Sequence, residues 1–373
     1  MLYDVAIIGA GINGCSVAYR LHQAGLKIAL FDANGIAGGG SGAAGAFLSP
    51  KFSKAGELKE LVNSSLDEAL PFYTTHFPDF IQNYHLLHIA KDPKDAAHLR
   101  YCRENDNFEL LDNPPITPPN EHIYTTKSAL VDAKGVCEAL VAGCDFVQED
   151  IKMLRCSDDV WHLNSTYKAK KVILSTGAYE HNLIDVPYQM VRGIWGHRID
   201  LKTTTKNDIS IHQFVSISPT KNSILAIGAT HNVHYHPQKT KEAYDFKAGR
   251  EELLQKASKT IELKDVEVVQ DYVGLRSGSF DYLPIVGQIV DVQTTLKKLS
   301  SSEIFQKKLE FEKLHYYKNL YMINGSAGYG FVLAPYLSRV LAHHIVDNTA
   351  IPKQIDQARF FHRWAKRKNN CQC

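Results

Sequence analysis

With 373 residues, the chain is long enough for two domains, or for one large domain carrying an inserted one. Its 42 Lys and Arg against 40 Asp and Glu leave a formal charge of +2, so no global field would by itself attract nucleic acid. Seven cysteines, odd in number and irregularly spaced, fit a reduced compartment better than a disulfide framework. The first apolar run is too short for a signal peptide or a membrane span and contains Asp4, so a cytoplasmic enzyme is expected.

Tyr3–Ile8 reads as a strand that runs straight into Gly9-Ala10-Gly11-Ile12-Asn13-Gly14 and a helix from Cys15 to Ala24. A second apolar run, Leu26–Phe31, ends at Asp32. Strand, glycine turn, helix and acid in that order make a dinucleotide cradle. Gly9 allows the tight turn, Gly11 lets backbone approach a pyrophosphate, and Gly14 lets the helix lie close on the sheet. Ile12 and Asn13 belong to the cofactor-binding turn, and free N–H groups at the start of the helix face phosphates. Asp32 is placed to accept hydrogen bonds from a ribose.

Gly35–Ala46, with Ser41, Gly42, Ala43 and Gly45, is a loop of small residues expected to lie against something large and flat. A helix over 57–77 follows. Residues 78–120 read as an irregular excursion containing one strand, Leu86–Ala90. Asp132 is expected to cap a short helix reaching Val141. Strands are expected at 144–147, 151–156 and 160–165, and Lys171–Ser175 ends at Thr176 and Gly177, suited to meeting the nucleotide.

From 187 the texture changes to antiparallel strands (211–218, 223–228) and a charged helix over 243–257. His231, His234 and His236 have ligand-like spacing but no supporting helix or cysteine, so an exposed polar loop is expected and no metal. Past 271 come Tyr272, Gly274-Leu275-Arg276 and Asp281–Gly287. A strand over 320–323 then breaks at Asn324–Gly330, a turn holding Gly325, Gly328, Tyr329 and Gly330, and enters a helix over 332–346. The expected fold is α/β: a Rossmann-like dinucleotide-binding domain (1–80, 125–186 and 271–373) with an inserted antiparallel-sheet α+β substrate domain (81–124 and 187–270).

These blocks, in this order, resemble the FAD-dependent D-amino acid oxidase superfamily, in its glycine oxidase and sarcosine oxidase branch. The segment Val191–His197 and the block from Arg276 to Gly287 look like the oxidoreductase domain of the bifunctional tRNA 5-methylaminomethyl-2-thiouridine biosynthesis family. The usual methyltransferase domain is absent, which leaves room for a separate methyltransferase partner. The resemblance implies FAD rather than NAD, and the lack of Cys or His in the Arg276–Gly287 block favours a non-covalent cofactor. It also implies oxidation of an amine beside a carboxylate, with Arg276 as the clamp: a guanidinium offers a rigid two-pronged fork. Arg192 and His197 are candidates for substrate binding, and Tyr272 or Tyr329 for assisting deprotonation.

Three functions stay open. The substrate is a carboxymethylamino group on a tRNA wobble nucleotide, or a free amino-acid-like molecule such as glycine, sarcosine or a D-amino acid. Otherwise the chain is a flavin-bearing subunit that passes electrons to a partner. The basic, aromatic stretch from Arg359 to Lys368 suits phosphate contact with base stacking, and equally a helix whose aromatic face packs on the core. Cys371 and Cys373 are expected in a loose terminus.

Overall fold

A computed structural model describes residues 1–299 and 310–370, with side chains of the closing helix described as far as Arg367; Cys371 and Cys373 lie outside the described residues. The nucleotide-binding half is built on an eight-stranded sheet. Leu2–Ile8 lies at its centre, parallel to both Tyr167–Leu174 and Ile28–Phe31. Asp145–Val147 continues the parallel order on one side. Tyr316–Asn324 and the antiparallel Ile285–Val290 continue it on the other. A hairpin, Leu154–Ser157 with Val160–Leu163, hangs from Tyr167–Leu174.

The central strands are buried on both faces, which is why they read as continuous apolar runs. On one face, helix Gly330–Asp347 packs on helices Ile12–Gln23 and Glu57–His76. The other face is closed by Trp161, Tyr188 and the buried Phe360 and Phe361 of helix Arg359–Asn370. That helix therefore spends its aromatic face on the core. Asp132 caps Ala133–Leu140 through the Gly135 N–H, as expected.

The second layer is a seven-stranded sheet inserted into this core. It runs Glu267–Ser279, Val191–Lys202, Ile224–Gly228, Ser216–Ile217, Ser210–His212, Leu86–Ile89 and His122–Thr125, antiparallel except where Ser210–His212 meets Leu86–Ile89. The expected α/β architecture, a Rossmann-like core with an inserted, mostly antiparallel sheet, is the one observed.

Two details differ. Residues 271–279, expected in the nucleotide-binding part, are the end of a 13-residue edge strand of the second sheet. Ile81–Asn83, expected in the substrate part, instead joins a small sheet with Phe47–Leu48 and Ala129–Val131. The supposedly irregular stretch after 78 also holds a helix, Pro93–Asn105, capped by the Asp92 side chain on the Asp95 N–H. With only Leu99 and Cys102 buried, it shows little apolar periodicity to betray it. No helix among the described residues is long and apolar enough to cross a membrane.

Candidate functional site

A cavity of about 960 Å³ lies where the carboxyl ends of the parallel strands face the second sheet. At its floor the chain leaves Leu2–Ile8 through Gly9, held at φ +108°, where a Cβ would sit 2.2 Å from the Ser175 carbonyl oxygen. A Cβ on Gly14 would come within 2.0 Å of the Gly9 carbonyl oxygen, so the helix can lie this close only with glycine there. Asp32 accepts from the Ala10 N–H (2.8 Å) and the Asn34 N–H (2.8 Å), tying the second strand to the turn. The Ser41 hydroxyl accepts from the Ile12 N–H at 2.9 Å, bringing the small-residue loop onto the helix start.

That loop does not rest on open space alone. A Cβ on Gly40 would meet the Leu275 carbonyl oxygen at 2.7 Å, and one on Gly274 would meet the Gly40 Cα at 2.8 Å. Glycine against glycine thus seats the nucleotide loop directly on strand Glu267–Ser279, and Arg198 adds a bond to the Ala44 carbonyl (2.6 Å). This contact is what brings the second sheet, and with it Arg276, to the cradle.

The late turn is fixed from three sides by Asn324. Its amide donates to the Gly177 carbonyl at 2.7 Å, and its oxygen accepts from the Ser277 hydroxyl (2.5 Å) and the Gly325 N–H (2.8 Å). Asn13 donates to the Ser326 hydroxyl at 3.0 Å, joining the first and last turns across 313 residues of chain. Asn324 escaped sequence reasoning: its role needs three distant segments, and its only local signal is its place before Gly325.

Gly9, Gly11, Ile12, Asn13, Asp32, Ser41, Ala43, Gly45, Thr176, Gly177, Gly328, Tyr329 and Gly330 all line this one cavity. Gly14, Gly42 and Gly325 stand behind it as close-packing or turn positions: a Cβ on Gly42 would meet the Ala37 carbonyl oxygen at 2.3 Å, and Gly325 has φ +77°. Gly328 has nothing within 4 Å of its Cβ position and faces open volume. The glycine-walled cradle and the acid at its edge fit an FAD lying along the floor.

Arg276 lines the cavity wall opposite. One guanidinium nitrogen donates to the Thr230 carbonyl at 3.0 Å, no carboxylate among the described residues pairs with it, and burial pulls its pKa below the usual arginine range. Its remaining donors are available to a ligand anion. Tyr329 is also on the lining, its hydroxyl accepting from the Lys51 ammonium at 3.2 Å.

Three expected site residues stand elsewhere. His197 is fully buried behind the wall, with one ring nitrogen 2.9 Å from Asp271 and the other 3.2 Å from the Tyr244 hydroxyl. Its backbone N–H donates to the Thr230 hydroxyl (3.0 Å), and the Thr230 carbonyl accepts from Arg276, so His197 stands behind the wall and off the lining. Tyr272 lies under the Arg198 guanidinium, 3.8 Å from ring centre, and outside the lining. It sits four residues before Arg276, on the part of the strand that precedes the lining residues Gly274–Ser277. Arg192 lies over the exposed rings of Tyr282 (4.7 Å) and Phe280 (5.9 Å), also off the lining. Among the described residues no three His, Cys, Asp or Glu side chains converge as metal ligands.

The family profile described as FAD dependent oxidoreductase matches residues 4–344. Glycine oxidase of Bacillus licheniformis is 24% identical over 77% of this chain and 84% of its own. The tRNA 5-methylaminomethyl-2-thiouridine biosynthesis bifunctional protein of Leptospira interrogans is 23% identical over 96% of this chain, which spans 60% of that longer protein. Among solved structures, glycine oxidase from Geobacillus kaustophilus superposes with a TM-score of 0.74 at 19% identity, covering 96% of this chain and 98% of the other.

Proposed function

We propose, from the premise that this chain belongs to the FAD dependent oxidoreductase family and is an FAD-binding oxidoreductase, that it oxidises a free amine whose carbon also carries a carboxylate. The substrate class is glycine, an N-substituted glycine or a D-amino acid. The observation that carries this reading is Arg276: a guanidinium on the cavity wall with one carbonyl contact and no carboxylate partner among the described residues. Such a group is costly to leave unpaired, and a ligand carboxylate satisfies it with two parallel bonds.

FAD is held without a covalent link by the Gly9–Gly14 turn, Asp32, the Ser41–Gly45 loop, Thr176–Gly177 and the Gly325–Gly330 turn. When bound, it supplies the acceptor for the hydride leaving the carbon that bears both nitrogen and carboxylate. Arg276 fixes that carboxylate and so sets which hydrogen faces the acceptor; holding reactants near contact distance removes part of the barrier in advance. The amine reacts as its free base, the resulting imine takes up water, and a 2-oxo acid and an amine leave. Thr230 and His197 keep the guanidinium in place from behind.

A second reading, a carboxymethylamino group on a tRNA wobble nucleotide with a separate methyltransferase as partner, draws on the exposed Phe280 and Tyr282 beside Arg192, a surface suited to stacking bases. The two readings part in one experiment. Purified protein is assayed for peroxide or dye reduction with glycine, sarcosine and D-alanine, beside nucleoside mass spectrometry of treated tRNA. Turnover of free amines, lost by about 100-fold or more in R276A with FAD retained, is the expected result. Change confined to tRNA moves the assignment to the second reading, and turnover unchanged in R276A overturns the clamp.

A further inference from the structure

Two positively charged side chains line the cavity, Arg276 and Lys51. Lys51 has no described carboxylate partner: its ammonium donates to the Tyr329 hydroxyl at 3.2 Å and lies 5.4 Å from the centre of that ring. An ammonium has three donors, so the others remain for a ligand. The acids on the lining do not answer it. Asp32, Glu149 and Asp150 follow strands Ile28–Phe31 and Asp145–Val147 at the nucleotide end, and Glu180 is paired with Lys239 at 2.6 Å. Both cations are instead tied to the late turn, Lys51 through Tyr329 and the Arg276 strand through Ser277 and Asn324.

The wall next to Lys51 carries a second sign of a polar ligand. Phe52 packs on His88 (5.0 Å between ring centres), which lies beside His212 (6.1 Å), and His212 meets Phe47 (5.0 Å). The Nδ1 of His212 sits 2.6 Å from the Ser216 hydroxyl, while its Nε2, on a ring lining the cavity, is buried without a partner. A buried polar nitrogen left open in an otherwise aromatic wall is expensive unless something meets it. Burial also drives the pKa of this ring down to about 3, so it serves as a neutral donor or acceptor at ordinary pH.

We infer that Lys51 forms a second anion subsite, with His212 on the same cavity lining, and that the preferred substrate is an amine bearing two acidic groups. One sits on Arg276 next to the carbon that is oxidised; the other, a carboxylate or a phosphonate, sits on Lys51. The inference rests on Arg276 taking the first carboxylate, as proposed above.

The test uses the FAD-loaded protein and two ligands that cannot be oxidised at nitrogen: thiodiacetate, with two carboxylates, and methylthioacetate, with one. Binding is read from the change in flavin absorbance. Thiodiacetate is expected to bind at least about tenfold more tightly; K51Q removes that margin and K51R keeps it. The ratio of kcat/KM for iminodiacetate over sarcosine should fall in parallel in K51Q. Equal binding of the two ligands by the wild-type protein, or a margin that survives K51Q, overturns the subsite. Slower reoxidation of the reduced K51Q protein by oxygen, with the margin intact, assigns the lysine to the oxygen step and overturns it too. If R276A leaves methylthioacetate binding unchanged, it is the Arg276 assignment that fails, whatever Lys51 does.

Discussion

Gly196 offers a sharper probe of the clamp than Arg276 itself. It lies on Val191–Lys202 opposite Gly274, with the Arg276 guanidinium laid across it. A Cβ added there would stand 2.7 Å from Nη2, 2.8 Å from Cζ and 2.9 Å from Nη1. Unbonded carbon and nitrogen settle near 3.5–4.0 Å, so in G196A the guanidinium must withdraw by roughly 1 Å. The charge, the Thr230 carbonyl and the flavin cradle all remain. A shift of about 1 Å in a positioning group costs about 10²-fold, equivalent to roughly 2.7 kcal/mol of transition-state stabilisation. Stopped-flow reduction of bound FAD by sarcosine or D-alanine reads this directly, with FAD content and melting temperature measured alongside. The expected result is a kcat/KM lower by about 100-fold, FAD occupancy preserved, and partial recovery in G196A/R276K, whose thinner side chain leaves room. If G196A keeps kcat/KM within threefold, the guanidinium does not hold the reacting carboxylate.

Burial pushes the Asp356 carboxyl up to about 6, well above its ordinary 3.8, so the folded chain keeps a proton there that the unfolded chain has lost. Stability then falls as pH rises from about 4 to about 6, and the full penalty of about 2–3 kcal/mol applies above that window. D356N keeps the oxygen that accepts from the Ala358 N–H (2.8 Å). It should raise the melting temperature at pH 7.5 and gain nothing at pH 4; a gain of equal size at both would refute the titration argument. In the closing helix, Arg359 grips Asp281 with bonds of 2.9 and 3.0 Å while Arg363 is exposed. R359A should cost about 3–5 kcal/mol in denaturant unfolding and R363A under about 0.5, the contrast expected of a structural arginine beside a solvated one. Equal tRNA retention loss in both, with little change in stability, would instead favour the phosphate-contact reading of this helix.

What the sequence made legible is what neighbouring residues decide. The Gly9–Gly14 turn, Asp32, the Asp132 cap and the Gly325–Gly330 break each state a backbone requirement within a few positions, and each lies where expected. Helix Pro93–Asn105 could have been read the same way, from Asp92, Pro93 at the first helical position and Asp95. The two long strands of the second sheet could not. Val191–Lys202 is broken by Gly193 and Gly196, and Glu267–Ser279 by Gly274 and Gly278, a pattern that locally weakens a strand. The first pair exists because of the partner strand: the space a Cβ would take at Gly193 is filled by Leu275, and at Gly196 by Arg276, while Gly274 makes room for the Gly40 loop. His197 failed for the same reason, since Asp271, which fixes its ring, lies 74 residues away. A polar residue next to a recognisable block thus reads as substrate-facing when pairing in fact turns it into the core. The cofactor floor is written in short turns and survives reading one segment at a time. The opposite wall is written in pairings between segments, so Thr230, Lys51 and His212 gain their meaning only once the segments are laid side by side, and Arg276 was legible only through the family resemblance.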